Sequence, residues 1–585
     1  MRKRNNDMSL FNLGSDFRVF PDRCATSSVD ATSIVGHALF KQPKKCSIID
    51  AKLSKDAAKR FKQWCDESTL FAPDSIPYNK DGYETVGDVV RKDWDVKSGA
   101  LPLGAYIVGT KPVHNVILNN SRGIADHNLL RSYVDMFARS KSEHNIVIFD
   151  RNAEAFQIYG KQLEQYGYDV NIIDCIGARY DDGRRVYGED RQCLKYNPLA
   201  LAVYQALDGD WIKVACTVNN AIEHLICLFP KDSDPFHPTA AYNLILGVVY
   251  MLMWNALEDY KKEPYNKDCF NRVNLSTVYD VLQKVSENDF QALNDLGINV
   301  SDSVDSLAEV FEETVLSIYE DRYIGDDGKE YDRNQSIRSL LMTHQNLLKA
   351  TMFYDAALYK SLLFLATECM SSYADLKGVV KGFNETNVFD TRAFITPSEE
   401  SRAKKKVIFF VYMIHSVPMH RLFRSFVNQI TYEGYARKSW SDKAVRGTRF
   451  VIDDVTALLD SEKDDSDADG FKTMLLVGAS CNHLFTVATP SMGAFKRVFG
   501  LESKEDFAYF EKEACLVFKK CIDDESIWYF MGRKSSSTLI PSDFSYNDLA
   551  FMSSSNTVVF CPNNVIVWSK HPLPETHQFN AMMQR

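Results

Sequence analysis

The chain has 585 residues, enough for two to four domains with a sizeable core. Because 68 Lys and Arg residues stand against 78 Asp and Glu residues, the formal net charge is −10, and no global positive field attracts nucleic acid. The 13 cysteines include no CxxC pair and no zinc-ligand spacing, which indicates free thiols in a reducing compartment and no zinc site. We therefore expect a globular, cytoplasmic protein.

The N-terminal region, residues 1–100, carries few strong patterns. The stretch LSKDAAKRFKQWCDES has apolar residues at helical spacing, which predicts a partly helical region. The basic start of the chain is not followed by an apolar run, so we expect no transmembrane anchor there. Residues 240–257 approach the length of a membrane span, but Asn243 and Asn255 interrupt them, which favours a buried core helix.

Strand and helix patterns alternate between residues 104 and 199. The apolar runs AYIVG, NVIL, NIVIFD and YDVNIID predict strands, and LLRSYVDMFARS and AEAFQIYGKQLEQYG predict amphipathic helices between them. This βαβαβ alternation is typical of a parallel sheet covered by helices on both faces.

The middle of the chain is predicted to be mostly helical, and strands return after it, at KKVIFFVYMI, RFVID, TMLLVGAS and TVVFCPNNVIVWSKH. The pattern predicts an α/β fold with a mostly parallel sheet and an inserted all-α domain. The expected divisions are residues 1–100 for the N-terminal region, 101–205 for the first part of the α/β domain, 206–388 for the all-α domain and 389–585 for the second part.

The stretch HNVILNNSRGIADHN has the strand–turn–helix layout of a phosphate-binding loop. A working loop of the form GxxxxGK[ST] uses glycines, a lysine and a hydroxyl to hold phosphates and Mg²⁺, but here Ala125 takes the place of the lysine. A plain turn, with Asp126 as a helix cap, is an equally well supported interpretation. The candidate nucleotide contacts are Asn119, Asn120, Ser121, Arg122, Gly123 and Asp126.

Carboxylates follow two other predicted strands. In RFVIDDVTALLD, Asp453 is a candidate Mg²⁺ ligand and Asp454 a candidate catalytic base, although Asp is one methylene shorter than the usual Glu. In NIVIFDRNAEAF, Asp150 ends a strand where α/β sheets place functional groups, and it is a further candidate nucleotide contact. The alternative for all three is a capping or solvated aspartate.

A basic segment, RKSWSDKAVRGTR, surrounds Trp440. Cations interleaved with an aromatic ring suit single-stranded nucleic acid, and the candidate contacts are Arg437, Lys438 and Arg446. A solvated loop before a strand is the more common interpretation of such a segment.

Taken in order, these stretches resemble the coupling proteins of type IV secretion and conjugation, the TraG/TraD-like family. HNVILNNSRG stands at the position of the family's phosphate-binding loop, and RFVIDDVTALLD resembles its Walker B strand. NIVIFDRNAEAF, YGYDVNIID, LKYNPLALAVY and the C-terminal stretch from STLIPSDF to WSKH resemble further family motifs. The resemblance covers roughly residues 104–571.

The resemblance implies a RecA-like P-loop NTPase core that carries an all-α domain and uses ATP and Mg²⁺. It also implies hexamers around a channel, DNA–protein substrates, and secretion or relaxosome proteins as partners. Contact with single- or double-stranded DNA is implied as well. Membrane contact would come only through partners, and would place the cytoplasmic protein at the inner membrane beside a secretion channel.

Three nucleotide-handling elements depart from the family pattern. The loop lacks its lysine, the Walker B pair is Asp-Asp, and LVGASCNHLF lacks the glutamines of a nucleotide-sensing strand end. These departures speak against ATP and Mg²⁺ use and favour a weak or inactive ATPase acting as substrate adaptor or structural subunit. The alternatives are an active motor, with Arg122 replacing the lysine, and a nucleic-acid-binding scaffold without a nucleotide role.

Overall fold

The architecture is taken from a computed structural model. It describes residues 33–38, 68–71, 105–109, 113–119, 130, 133–134, 137–138, 144–175, 180–181, 184–185, 193–225, 236–320, 323–324, 330–331, 335–354, 356–374, 387–397, 404–413, 416–441, 445–458, 471–472, 474–475, 478–481, 483–501, 503–519, 521–534, 546–550, 556–561 and 565–570.

Within these ranges the strands are β1 (Ser33–Ala38), β2 (Ser68–Phe71), β3 (Ala105–Gly109), β4 (His114–Leu118), β5 (Asn145–Arg151), β6 (Asp169–Asp174), β7 (Tyr180–Asp181), β8 (Arg184–Arg185), β9 (Tyr323–Ile324), β10 (Glu330–Tyr331), β11 (Lys406–Tyr412), β12 (Thr448–Ile452), β13 (His483–Thr489), β14 (Ala514–Phe518), β15 (Asn556–Cys561) and β16 (Val565–Lys570). The helices are α1 (Glu154–Gln165), α2 (Ala200–Leu207), α3 (Trp211–Leu225), α4 (Phe236–Lys262), α5 (Leu275–Ser286), α6 (Leu307–Glu320), α7 (Gln335–Tyr354), α8 (Ala356–Ala374), α9 (Thr391–Ile395), α10 (Val417–Ser441), α11 (Met492–Phe499), α12 (Lys504–Phe510), α13 (Asp524–Lys534) and α14 (Tyr546–Ala550).

The central sheet has nine strands in the order β16-β15-β14-β4-β13-β12-β5-β11-β6. The seven strands from β14 to β6 are all parallel, and β15 and β16 extend one edge as an antiparallel pair. Strands β4, β12, β13 and β14 are buried along their whole length, as expected of apolar strands covered on both faces. The predicted α/β class with a mostly parallel sheet is confirmed.

The order of the parallel strands is that of a RecA-like core. The first of them in the chain, β4, lies between the last two, β13 and β14, and β12 separates β13 from β5. From β12 the chain continues to β13, whereas from β5 it continues to β6, on the opposite side. Neighbouring strands with diverging connections leave a crevice at their carboxyl ends, where ligands bind in open α/β sheets. The β5–β12 pair forms such a crevice.

Helices α2–α8 form a helical block inserted between β8 and β11, with the short hairpin β9–β10 within it. Its long helix α4 has 27 residues and spans about 40 Å. Within the described ranges α4 is the one helix long and apolar enough to cross a membrane, but 89% of its most apolar window is buried in the protein. Asn255, which is buried there, donates to the Met251 carbonyl at 2.9 Å and accepts the Asn299 N–H at 3.2 Å. The interpretation as a core helix agrees with this packing.

Short polar side chains start several helices where the sequence places them. Asn274, Asp390, Ser491 and Ser503 each accept backbone N–H groups of the first turn of α5, α9, α11 and α12. Helix α11 ends at Gly500, whose φ of 61° is a left-handed conformation that glycine adopts without strain. These contacts explain why the pattern SMGAFKRVFG predicts its helix accurately.

Two sequence-based expectations need correction. TMLLVGAS was predicted as a strand, but its described residues are helical or in a 3-10 turn, and the strand is the following HLFTVAT of β13. AYIVG does form a strand, β3, yet it pairs with β1 and β2 in a separate antiparallel sheet. A short apolar run fixes neither the helix–strand choice nor the pairing partner, because both depend on distant segments.

Candidate functional site

Asp453 is the first residue after β12 and lies at the β5–β12 crevice. The register pairs Ile452 with Phe149, so Asp453 stands beside Asp150 at the ends of the two strands. Asp453 is partly buried, and its Oδ1 has no hydrogen-bond partner within the described part of the chain. Burial, followed by the charge of Asp454, raises the pKa of the Asp453 carboxyl to about 7, while Arg151 acts in the opposite direction. The free Oδ1 and the raised pKa of Asp453 are consistent with a carboxylate that binds a cation.

Asp454 is committed to local structure. Its Oδ1 accepts the Thr456 N–H at 2.9 Å and the Thr456 hydroxyl at 2.6 Å. These two bonds start the 3-10 turn Val455–Leu458, as Asp commonly does in turns. One oxygen of the Asp454 carboxylate is therefore held by the backbone and hydroxyl of Thr456, which fixes the orientation of the side chain.

Asp150 caps helix α1. Its two oxygens accept the N–H groups of Ala155 and Phe156, each at 2.8 Å. The side chain is buried, and this burial raises its pKa well above the usual range, although the two N–H groups oppose the shift. The chain reaches α1 through Asn152 and Ala153, whose φ values of 57° and 62° are unusual for residues with a side chain. The capping role proposed as the alternative for Asp150 is the one its hydrogen bonds show.

Sequence reasoning missed two neighbours of these carboxylates. Arg151 ends β5, and its Nη2 lies 3.7 Å from Oε2 of Glu154. Tyr412 ends β11 and stacks on Phe149 with ring centroids 3.8 Å apart. Its buried hydroxyl has no hydrogen-bond partner among the described residues, and burial together with nearby Asp453 raises its pKa. No feature of KKVIFFVYMI distinguishes Tyr412 from a core aromatic residue.

The carboxyl end of β4 is held from both sides. The Asn119 N–H donates to the Thr489 carbonyl of β13 at 2.9 Å, and the Lys519 N–H donates to the Leu118 carbonyl at 2.9 Å from the end of β14. The candidate contacts further along the loop lie outside the described residues, and these are Asn120, Ser121, Arg122, Gly123 and Asp126.

The three basic candidates do not form one exposed surface. Arg437 pairs with Glu433 at 2.5 Å, and exposed Lys438 donates to the Ser480 carbonyl. Arg446 is only 6% exposed and donates to the Lys404 carbonyl at 2.8 Å. It precedes the amino end of β12, so it lies at the opposite edge of the sheet from Asp453.

The carboxylates at the crevice do not form a complete metal cage. Within the described ranges no group of three or more His, Cys, Asp or Glu side chains is arranged to hold a metal. Mg²⁺ does not require such a cage, since it is commonly bound by one or two carboxylates, phosphate oxygens and several waters. The free oxygen of Asp453 fits that mode of binding.

Comparison with known proteins returned structures only. No family model matches the chain, and no curated protein matches it. The bacterial conjugative coupling protein TrwB, in a truncated form with sulphate, shares 12% identity at a TM-score of 0.42, covering 78% of this chain and 85% of that one. Plasmid coupling protein TrwB with ADP and Mg²⁺ shares 11% identity at 0.42, covering 78% and 84%. VirB4 of Thermoanaerobacter pseudethanolicus shares 10% identity at 0.32, covering 79% and 91%. The fold assignment rests on the strand order described above.

Proposed function

We propose that the chain is a RecA-like subunit of a conjugative DNA-transfer or type IV secretion machine that binds a nucleotide with Mg²⁺ and hydrolyses it weakly or not at all. The observation that carries this proposal is the contrast between two adjacent aspartates. Among the described residues Oδ1 of Asp453 has no hydrogen-bond partner at the crevice, whereas Oδ1 of Asp454 is bonded twice to Thr456.

Asp453 is the residue that would hold Mg²⁺. When bound, the ion neutralises charge on the phosphates and on the carboxylate. At neutral pH a carboxyl with a pKa of about 7 is partly protonated, and a cation at its free oxygen lowers that pKa. Cation binding thereby removes the main electrostatic cost of ionising Asp453 in this crevice.

Weak hydrolysis follows from the position of Asp454. Phosphoryl transfer to water needs a side chain that orients the attacking water. The two bonds that Oδ1 of Asp454 accepts from Thr456 fix the orientation of this carboxylate in the turn. Misplacement by about 1 Å costs roughly 100-fold in rate, so a short, capped carboxylate is a poor base.

The assignment to a secretion machine rests on the order of the sequence motifs. Within such a machine the chain would serve as substrate adaptor or structural subunit, in a homo- or hetero-hexamer with secretion or relaxosome proteins as partners. It would lie in the cytoplasm and reach the inner membrane through those partners. The helical block is the part that we assign to substrate contacts. Burial of Arg446 disfavours the scaffold that binds nucleic acid through the basic segment.

Calorimetric titration of Mg·ATP into the full-length protein tests the nucleotide site, with Asp453→Asn as the comparison. We expect binding by the wild-type protein, much weaker binding by the variant, and turnover that Asp454→Asn changes little. Absence of Mg·ATP binding at millimolar concentration would remove the nucleotide role from the proposal. Fast turnover abolished by Asp454→Asn would instead establish the active motor.

A further inference from the structure

Lys519 occupies the end of β14, directly beside the end of β4. Phe518, the last residue of β14, is paired in register with Leu118, the last residue of β4. The Lys519 N–H continues this ladder by donating to the Leu118 carbonyl at 2.9 Å. The segment that follows β4 is the candidate phosphate-binding loop, which lacks a lysine. A lysine from another strand therefore stands where the loop begins.

By the alternation of side chains along the strands, the position of Lys519 falls on the same face of the sheet as that of Asp453. The main core cluster lies on one face of the sheet and includes Leu118, Phe518, Phe450 and Ile452. Since side chains alternate between faces along a strand, Lys519 and Asp453, each one residue further on, start the opposite face.

The helical residues after the loop lie on that opposite face too. Arg449 alternates with Phe450, and its guanidinium lies over the ring of Phe137, 5.8 Å from the centroid. Phe137 belongs to the helical residues that follow the β4 loop. The loop's helix, Lys519 and Asp453 thus share one face of the sheet, and Lys519 and Asp453 also share its carboxyl edge.

Lys519 is 5% exposed, which is rare for a lysine. Burial lowers the pKa of its ammonium group to about 8. At neutral pH the group is still mainly charged, and an anionic ligand would offset the cost of burying it. Strands β4 and β13 lie between β14 and β12, and the register sets Lys519 two residues further along than Asp453, so the two positions are about 16 Å apart. A nucleoside triphosphate bridges this distance when its Mg²⁺ lies at Asp453 and the Lys519 side chain extends toward its phosphates from the other side.

We propose that Lys519 binds the phosphates of a nucleoside triphosphate, replacing the lysine that the β4 loop lacks. This inference rests on the proposed nucleotide site and adds a residue to it. The lysine reaches the phosphates from the end of β14.

The test is Mg·ATP binding by the full-length protein and by Lys519→Met, measured by calorimetry. Lys512→Met is the matched control, because Lys512 is exposed and precedes the amino end of the same strand. We expect Lys519→Met to weaken binding at least tenfold and Lys512→Met to change it less than twofold. Urea unfolding of Lys519→Met followed by circular dichroism should show one cooperative transition, as for the wild-type protein, which establishes that the variant is folded.

Equal affinity of Lys519→Met and the wild-type protein overturns the role of Lys519 and leaves the nucleotide site standing. No Mg·ATP binding by the wild-type protein overturns both. A second measurement uses the wild-type protein, so that the inference can be tested even if Lys519→Met does not fold. Mg·ATP should slow acetylation of Lys519 by acetic anhydride, read by mass spectrometry, and leave Lys512 unaffected. Equal acetylation of Lys519 with and without Mg·ATP also overturns the inference.

Discussion

Replacing Asp453 by Asn should stabilise the fold at alkaline pH while it removes the candidate Mg²⁺ ligand. The carboxyl has a pKa of about 7 in the folded protein against 3.8 as a model value. A difference of about three pKa units corresponds to at most about 4 kcal/mol, since each unit is worth about 1.4 kcal/mol. Asn has nearly the same shape and carries no charge at any pH, so it avoids this cost.

The sign of the effect depends on pH in a defined way. Between pH 4 and pH 7 the unfolded chain has lost the Asp453 proton and the folded protein retains it, so stability falls as pH rises. Above pH 7 the free-energy cost of ionising Asp453 in the folded protein has its full value and no longer changes with pH. Near pH 4 this cost is below about 1 kcal/mol, because the folded protein keeps the Asp453 proton and the unfolded chain is only about half ionised at this position.

Urea unfolding followed by circular dichroism at pH 8 and pH 4 measures this difference. We expect a higher urea midpoint for Asp453→Asn than for the wild-type protein at pH 8, and nearly equal midpoints at pH 4. Asp302→Asn, at an exposed aspartate of the helical block, is the control and should change neither midpoint. A variant that is no more stable at pH 8, or equally more stable at both pH values, would refute the reasoning. Added Mg²⁺ should raise the midpoint of the wild-type protein alone.

Three further substitutions test the packing of the sheet, one at the site and two at the amino ends of β4 and β13. Asp150→Ala should destabilise the protein by about 2–4 kcal/mol in urea unfolding, because one buried and one part-buried N–H group of α1 lose their acceptor. A loss below 0.5 kcal/mol would contradict the capping role. His114 accepts the Phe485 N–H at 3.1 Å, and burial lowers the pKa of His114 from 6.5 to about 4. Protonation of His114 should therefore reduce the free energy of unfolding by about 3 kcal/mol as pH falls from 7 to below 4. His114→Asn should flatten the dependence of stability on pH between 4 and 7. An unchanged dependence would contradict the role given to His114. Gly434→Ala should lower the thermal midpoint, because the added Cβ would lie 2.2 Å from Nε2 of buried His483; an unchanged midpoint would show that His483 moves freely.

The sequence predicted the sheet strands better than it predicted the site. Apolar runs such as NIVIFD and KKVIFFVYMI became buried parallel strands, because a strand covered on both faces needs apolar residues throughout. The positions of Asp150 and Asp453 at strand ends were also predicted correctly. Their hydrogen bonds were not, since an aspartate that caps and one that binds a cation have the same local sequence.

Lys519 and Tyr412 could not be found from the sequence. Each lies far along the chain from the residues it adjoins, and only the strand order brings β14 beside β4 and β11 beside β5. The wrong strand prediction at TMLLVGAS has a related cause. Its apolar residues, including Met474 and Leu475, are buried in helical conformation, and burial rather than strand pairing accounts for their hydropathy.

The packing of helix α4 has a consequence for synthesis of the protein. The helix is apolar over most of its surface, and its main neighbours α7 and α8 follow it in the chain, ending at Ala374. At about 5–20 residues per second, the ribosome leaves α4 uncovered for several seconds before those helices emerge. During that interval a nascent chain presents an apolar segment that chaperones and membrane-insertion factors recognise. The apolar surface of α4 is therefore fully covered only after α8 has been made.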